Sequence, residues 1–176
     1  MTEVEPPPFR RWATVFKSNR YIAIASLSGY RRTVPDPDAL RLFLDPDASN
    51  TALGDGLLQA LARSRFLVPP SPLYGPDEID RNYAAWCEEL VSRYGYSSKR
   101  RALENALNCF IWQEGDEITI EPMRRGRADW WHAIEGEPNV VIPTGAGPEE
   151  AGAALRHALS RCRPRHWRPS QETSPP

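Results

Sequence analysis

The sequence predicts an α+β fold: an antiparallel sheet with packed helices, made of two related β-hairpin–strand–helix units joined by a middle helix. Three observations predict it. Pairs of β-prone segments bracket short polar connections twice, at Trp12–Phe16 with Tyr21–Ala25 and at Asn108–Trp112 with Glu117–Glu121. Each pair is followed by a short strand and then a helix, so strands come before helices in both halves. The halves also repeat. Ala48, Gly54, Leu57, Ala60, Leu61, Arg63 and Arg65 recur 98 positions later as Ala146, Gly152, Leu155, Ala158, Leu159, Arg161 and Arg163, while Ile22 and Ile24 align 96 positions later with Ile118 and Ile120.

In chain order, Lys17-Ser-Asn-Arg20 turns the first hairpin, Val34-Pro-Asp-Pro37 is a turn, and Leu40–Leu44 is a third strand stopped by Asp45-Pro-Asp47. Ser49 is a good N-cap for a helix whose Leu53, Leu57, Ala60 and Leu61 share one face and which ends near Arg65. A Pro-rich loop, Val68–Pro76, leads to Ile79, Tyr83, Trp86, Cys87, Leu90 and Tyr94, spaced as the apolar stripe of the middle helix that Gly95 ends. Residues 97–107 are basic at first and helical later. Gln113-Glu-Gly-Asp116 turns the second hairpin, and Asn139–Ile142 is a strand. Pro148 after Gly147, with Glu149 and Glu150, opens the last helix, where a proline costs no hydrogen bond and acids suit the helix dipole. Gly54 and Gly152 sit inside the two related helices, where glycine costs about 1 kcal/mol against alanine. Their recurrence predicts a close approach of backbones.

The chain of 176 residues is 26% charged and 40% hydrophobic, ordinary for one globular domain. Residues 9–162 are read as that domain. Met1–Pro8, with three consecutive prolines, and the basic, Pro-rich Arg163–Pro176 are read as disordered tails. No apolar run approaches the roughly 18 residues of a membrane span. The first residues lack the basic and apolar regions of a secretory signal, and three cysteines fit a reducing cytosol, so a cytoplasmic protein is expected.

Catalytic and metal signatures are not found. His132 follows Trp130 and Trp131, His157 lies on the solvent side of the last helix, and Cys109 sits in an apolar strand. A Cys109–His132 nucleophilic pair would want a third, orienting group. No metal-ligand spacing or phosphate loop occurs, and no cofactor or small-molecule substrate is implied. Basic doublets beside aromatics, at Arg10-Arg11, Arg31-Arg32, Arg100-Arg101 and Arg124-Arg125, are the types a nucleic-acid surface uses. Interleaved acids and a net charge of −1 argue against that use and for intramolecular ion pairs.

Several runs occur in a familiar order: Trp12-Ala-Thr-Val15; Asp45-Pro-Asp-Ala-Ser49 with Leu53-Gly54 and Ala60-Leu-Ala-Arg-Ser-Arg-Phe66; Tyr94-Gly-Tyr-Ser-Ser-Lys-Arg-Arg-Ala-Leu103 before Asn108-Cys109; and Ala153-Ala-Leu-Arg-His-Ala-Leu-Ser-Arg-Cys162. From Trp12 to Cys162 the sequence resembles the immunity proteins of bacterial contact-dependent growth inhibition systems, the CdiI type. That resemblance implies a non-catalytic cytosolic protein that binds the C-terminal toxin domain of a large exported effector, often a nuclease, and blocks its active site or substrate path. Toxin-facing residues differ between alleles, so no site is carried over. A basic nuclease would favour acidic partners, and two clusters are candidates: Asp77, Glu78 and Asp80 at the start of the middle helix, and Glu114, Asp116 and Glu117 on the second hairpin. The alternatives are a small RNA-binding module using the Arg–aromatic patches, or an orphan non-catalytic scaffold.

Overall fold

In the computed structural model, which describes residues 5–127 and 130–166, both halves of the chain build the same unit. In the first, β1 (Arg11–Lys17) and β2 (Ile22–Gly29) form the hairpin. β3 (Thr33–Pro35) and β4 (Arg41–Leu44) lie end to end along the other edge of β2, and α1 (Asn50–Arg63) follows. A short 3-10 turn, Pro72–Tyr74, precedes α2 (Pro76–Tyr94) and α3 (Lys99–Leu103). The second unit repeats the first with β5 (Leu107–Glu114), β6 (Glu117–Arg125), β7 (Trp131–Ala133), β8 (Val140–Pro143) and α4 (Pro148–Ser160).

The repeat is a structural near-twofold. β1 and β5 pair antiparallel at the centre of one 8-stranded sheet, where Thr14 faces Phe110, its own counterpart 96 positions on. Ile22 pairs with Leu44 and Ile118 with Ile142, so the hairpins keep the spacing of 96 and the later strands take 98. The two extra residues fall between β6 and β7: Arg125 and Trp131 bound the connection that Gly29 and Thr33 bound in the first unit. Even the helix exits match. The Gly29 N–H donates to the Arg65 carbonyl at 3.0 Å, and the Arg125 N–H to the Arg163 carbonyl at 2.9 Å.

One face of the sheet is closed by α1 and α4. Ala13, Val15, Ile22, Ile24, Cys109, Ile111, Ile118 and Ile120 alternate along the strands and pack on Leu53, Leu57, Leu61, Leu155 and Leu159. The two glycines explain how the helices lie so close. A methyl group on Gly54 would strike the Pro148 carbonyl oxygen, and one on Gly152 would strike that of Asn50, the counterpart of Pro148. Ser49 caps α1 by accepting the Ala52 N–H at 3.1 Å, and Pro148 occupies the first turn of α4, both as expected.

The opposite face is covered by α2 and α3, which have no counterpart in the repeat. Trp86, Cys87, Leu90, Ala102 and Leu103 pack on Tyr21 and Ala23, and the Tyr21 hydroxyl donates to the Ala102 carbonyl at 2.8 Å. α2 starts at Pro76, a turn before its first apolar position, and ends at Gly95, whose φ of 66° is left-handed.

Some local expectations differ from the fold. Residues 33–35, within the expected turn region, and 131–133 form short edge strands, each held by three-residue pairing to the end of a hairpin. In residues 97–107 the helix is the basic start itself, Lys99–Leu103, capped by Ser98, and Leu107 already belongs to β5. Arg163, assigned by sequence to the tail, pairs with Arg124 in an isolated bridge. Residues 1–4 and 167–176 of the expected tails lie outside the described residues.

Candidate functional site

The half of the second sheet face that α2 leaves uncovered forms an open trough of about 250 Å³. Its floor comes from β1, β2 and β5: Thr14, Phe16, Ala25, Leu27 and Phe110 point here because their neighbours point to the closed face. Pro35 of β3, Tyr83 and Trp86 of α2, and Trp131 of β7 are among its walls. Aromatic contacts set the wall positions. Phe16 packs against Trp86 with ring centres 4.8 Å apart and meets Trp131 edge-on at 5.6 Å, and Phe110 lies 5.8 Å from Trp112.

The polar floor groups are already bonded. Asn108 donates to the Thr14 hydroxyl at 3.0 Å and the Val15 carbonyl at 3.1 Å. Glu121 is different. It is the cross-strand partner of Phe110, it is half-buried, and burial pushes its carboxyl above the usual carboxylate range. The trough offers exposed aromatic area, and the Glu121 carboxylate lies beside it as the cross-strand neighbour of Phe110; both are features of a protein-binding surface.

One edge of this face is pinned by a buried carboxylate. Asp36, just after β3, is 2% exposed. It accepts the Ser28 hydroxyl at 2.6 Å and both Arg65 Nε and Nη2 at 2.6 Å. Burial opposes its ionisation, but the hydrogen bonds from Arg65, Ser28 and the Asp38 N–H prevail and hold its pKa below the ordinary value. A lone Asp in a Pro-Asp-Pro turn gives no sign of this role, since its two partners are distant in sequence.

The two acidic clusters sit on separate elements. Asp77 and Glu78 occupy the first turn of α2. Asp77 and Asp80 are exposed, while Glu78 pairs with Arg81 at 2.9 Å. Glu114, Asp116 and Glu117 surround the β5–β6 turn, where Gly115 has a φ of 55°. Glu114 pairs with Arg10, whereas Asp116 and Glu117 are exposed. Two of the six carboxylates are thus engaged within the chain.

The other sequence candidates scatter. The Cys109 thiol lies in the closed core, 3.5 Å from that of Cys162, and burial pushes its pKa well up, so it is no thiolate nucleophile. His132 is exposed on β7. Among the described residues no group of three or more His, Cys, Asp or Glu side chains is placed to hold a metal, and no helix is long and apolar enough to cross a membrane. The basic doublets are largely used internally: Arg101 pairs with Glu104 at 3.0 Å, Arg32 lies over Tyr74, and Arg125 is buried beside Trp131.

Comparison with known proteins places this architecture. The curated Yersinia pseudotuberculosis (serotype O:3, strain YPIII) immunity protein CdiI-YPIII is 33% identical over 168 residues, covering 86% of this chain and 95% of that protein. Two solved structures superpose with a TM-score of 0.83 at 32% identity. One is NMB0488 of Neisseria meningitidis, a protein of unknown function, covering 91% of this chain and 99% of that one. The other is from the CdiA-CT/CdiI toxin and immunity complex of Yersinia pseudotuberculosis, covering 88% and 98%. The model of the CDI immunity protein family matches residues 11–162, from the first strand to the second residue after α4, so the match spans both units and the helices between them. The chain belongs to the CDI immunity protein family.

Proposed function

We propose that this chain is a non-catalytic, cytoplasmic immunity protein that binds the C-terminal toxin domain of its cognate contact-dependent growth inhibition effector. By covering that domain's active site or its substrate path, it neutralises a toxin of the nuclease class. The observation that carries this reading is the likeness, at a TM-score of 0.83 and over nearly the full fold, to a chain solved in a toxin and immunity complex. The working domain is residues 9–162, completed by the Arg163 bridge.

The acidic clusters supply electrostatic attraction in this reading. Asp77 and Asp80, and Asp116 and Glu117, are exposed and raise the encounter rate with a basic nuclease domain. Glu78 and Glu114, already paired with Arg81 and Arg10, contribute less.

The test is calorimetric titration with the C-terminal domain of the effector encoded beside this gene, with toxin activity assayed on the same samples. Tight 1:1 binding with loss of nuclease activity is expected. Binding without loss of activity would reject the neutralising role. A complex with RNA that weakens log-linearly with salt, and none with the toxin domain, would favour the nucleic-acid reading instead.

A further inference from the structure

Seven carboxylates among the described residues are buried or half-buried, and six of them have an arginine partner. Asp36 pairs with Arg65, Glu78 with Arg81, Glu89 with Arg41 and Arg93, Glu104 with Arg101, Glu114 with Arg10, and Glu137 with Arg161. The seventh, Glu121, has no hydrogen bond or ion pair among the described residues. A partly desolvated carboxylate is costly unless a cation or donors compensate it.

Its setting says what would. Glu121 and Phe110 are cross-strand partners and leave the sheet on the same face. Met123, two residues along β6, leaves that face too and lines the trough with Phe110. An apolar floor beside an unpaired carboxylate fits a long cationic side chain, whose methylene stem lies on the floor while its head meets the acid.

We propose that Glu121 receives a lysine or arginine of the toxin domain, with the stem of that side chain packed along Phe110 and Met123 in the trough. This rests on the reading that the chain binds a toxin domain, and it assigns the face and the charge used. Glu121 is then a determinant of partner choice: a toxin that covers this half-buried acid without supplying the cation leaves it desolvated and unpaired, which penalises mismatched pairs.

The test measures binding of the toxin domain to wild type, Glu121→Gln and Glu121→Lys, with Asp55→Asn on the exposed side of α1 as control. Thermal unfolding of each variant verifies folding; Glu121→Gln keeps the shape and removes a charge that burial disfavours, so its Tm should equal or exceed that of wild type. The expected result is about 10-fold or greater weakening for Glu121→Gln, carried by faster dissociation, a larger loss for Glu121→Lys, and no change for Asp55→Asn. Tight wild-type binding with both Glu121 variants within about twofold of it would overturn this inference and leave the immunity reading standing. Absence of wild-type binding would overturn both.

Discussion

The two faces of the sheet are made by different rules. The α1–α4 face is built twice, once by each half, and the halves close on each other through Gly54 and Gly152 with aliphatic side chains below. The α2 face is built once. Helices α2 and α3, inserted between the units, cover the Tyr21 and Ala23 side and leave aromatic side chains of β5 and β7 half-exposed on the other. Duplication thus yields a closed apolar layer, whereas the unpaired insertion leaves sheet surface uncovered. Rigidity on one face also fixes the strands that carry the other, which favours tight binding by a preformed surface.

Neighbouring residues of one strand should separate the faces most sharply. Ile111 is fully buried in the closed layer and Phe110 points to the open one. Ile111→Ala should cost about 3–4 kcal/mol in urea unfolding. Phe110→Ala should cost less than half as much and weaken toxin binding, which Ile111→Ala should leave intact under conditions where it stays folded. Equal stability losses would dissolve the distinction. Gly54→Ala and Gly152→Ala should each lose on the order of 3 kcal/mol, because backbone atoms must separate, and the near-twofold requires the two losses to be alike.

Next in size is the pin at the edge of the open face. Asp36→Ala removes the acceptor of Ser28 and leaves Arg65 only the longer contact with Asp38 at 3.5 Å; because the Arg65 side chain is 44% exposed, the loss should be about 2 kcal/mol. The pH dependence carries its sign. Asp36 has a lowered folded pKa, so its contribution is present above the ordinary aspartate pKa and is lost as pH falls through the lower folded value. Glu121 works in the opposite sense: its raised pKa means the folded state gains from protonating it, so stability from this group falls as pH rises through the raised value. Acid unfolding of Asp36→Ala should lack the low-pH component expected of wild type, and Glu121→Gln should keep it.

The smallest expected effects are those of the exposed acids. Reversing Asp77 and Asp80, or Asp116 and Glu117, should slow association with the toxin domain a few-fold, mostly at low salt, with dissociation unchanged. Stopped-flow association at two ionic strengths would show it; unchanged rates in both variants would remove the steering role.

How much was legible in the sequence follows the same division. The closed layer was readable because repetition doubles each signal: Ile22 and Ile24 with Ile118 and Ile120 fix the sheet's inner face, and two glycines at matched helix positions announce a helix crossing. The edge strands were not, since Thr33–Pro35 and Trp131–Ala133 are too short to show alternation and are held by pairing with β2 and β6. Arg163 was misplaced although it is the last identity of the repeat; its counterpart Arg65 binds the end of β2 in the same way. The open trough was hidden for a physical reason. Its residues come from seven elements, and only the uncovered area between them makes it a surface. Glu121 in turn looks like any strand-end acid until its neighbours among the described residues are seen to offer it no ion pair.

The open half of the α2 face is where we propose that the toxin domain docks. Hydroxyl-radical footprinting of the chain, free and with the toxin domain bound, tests it most directly. Oxidation of Phe110, Trp112, Met123 and Trp131 should fall on binding, with exposed His157 of α4 as reactive as before. Unchanged reactivity at those four side chains, with protection of His157 instead, would place the toxin on the duplicated helices and rule the open face out.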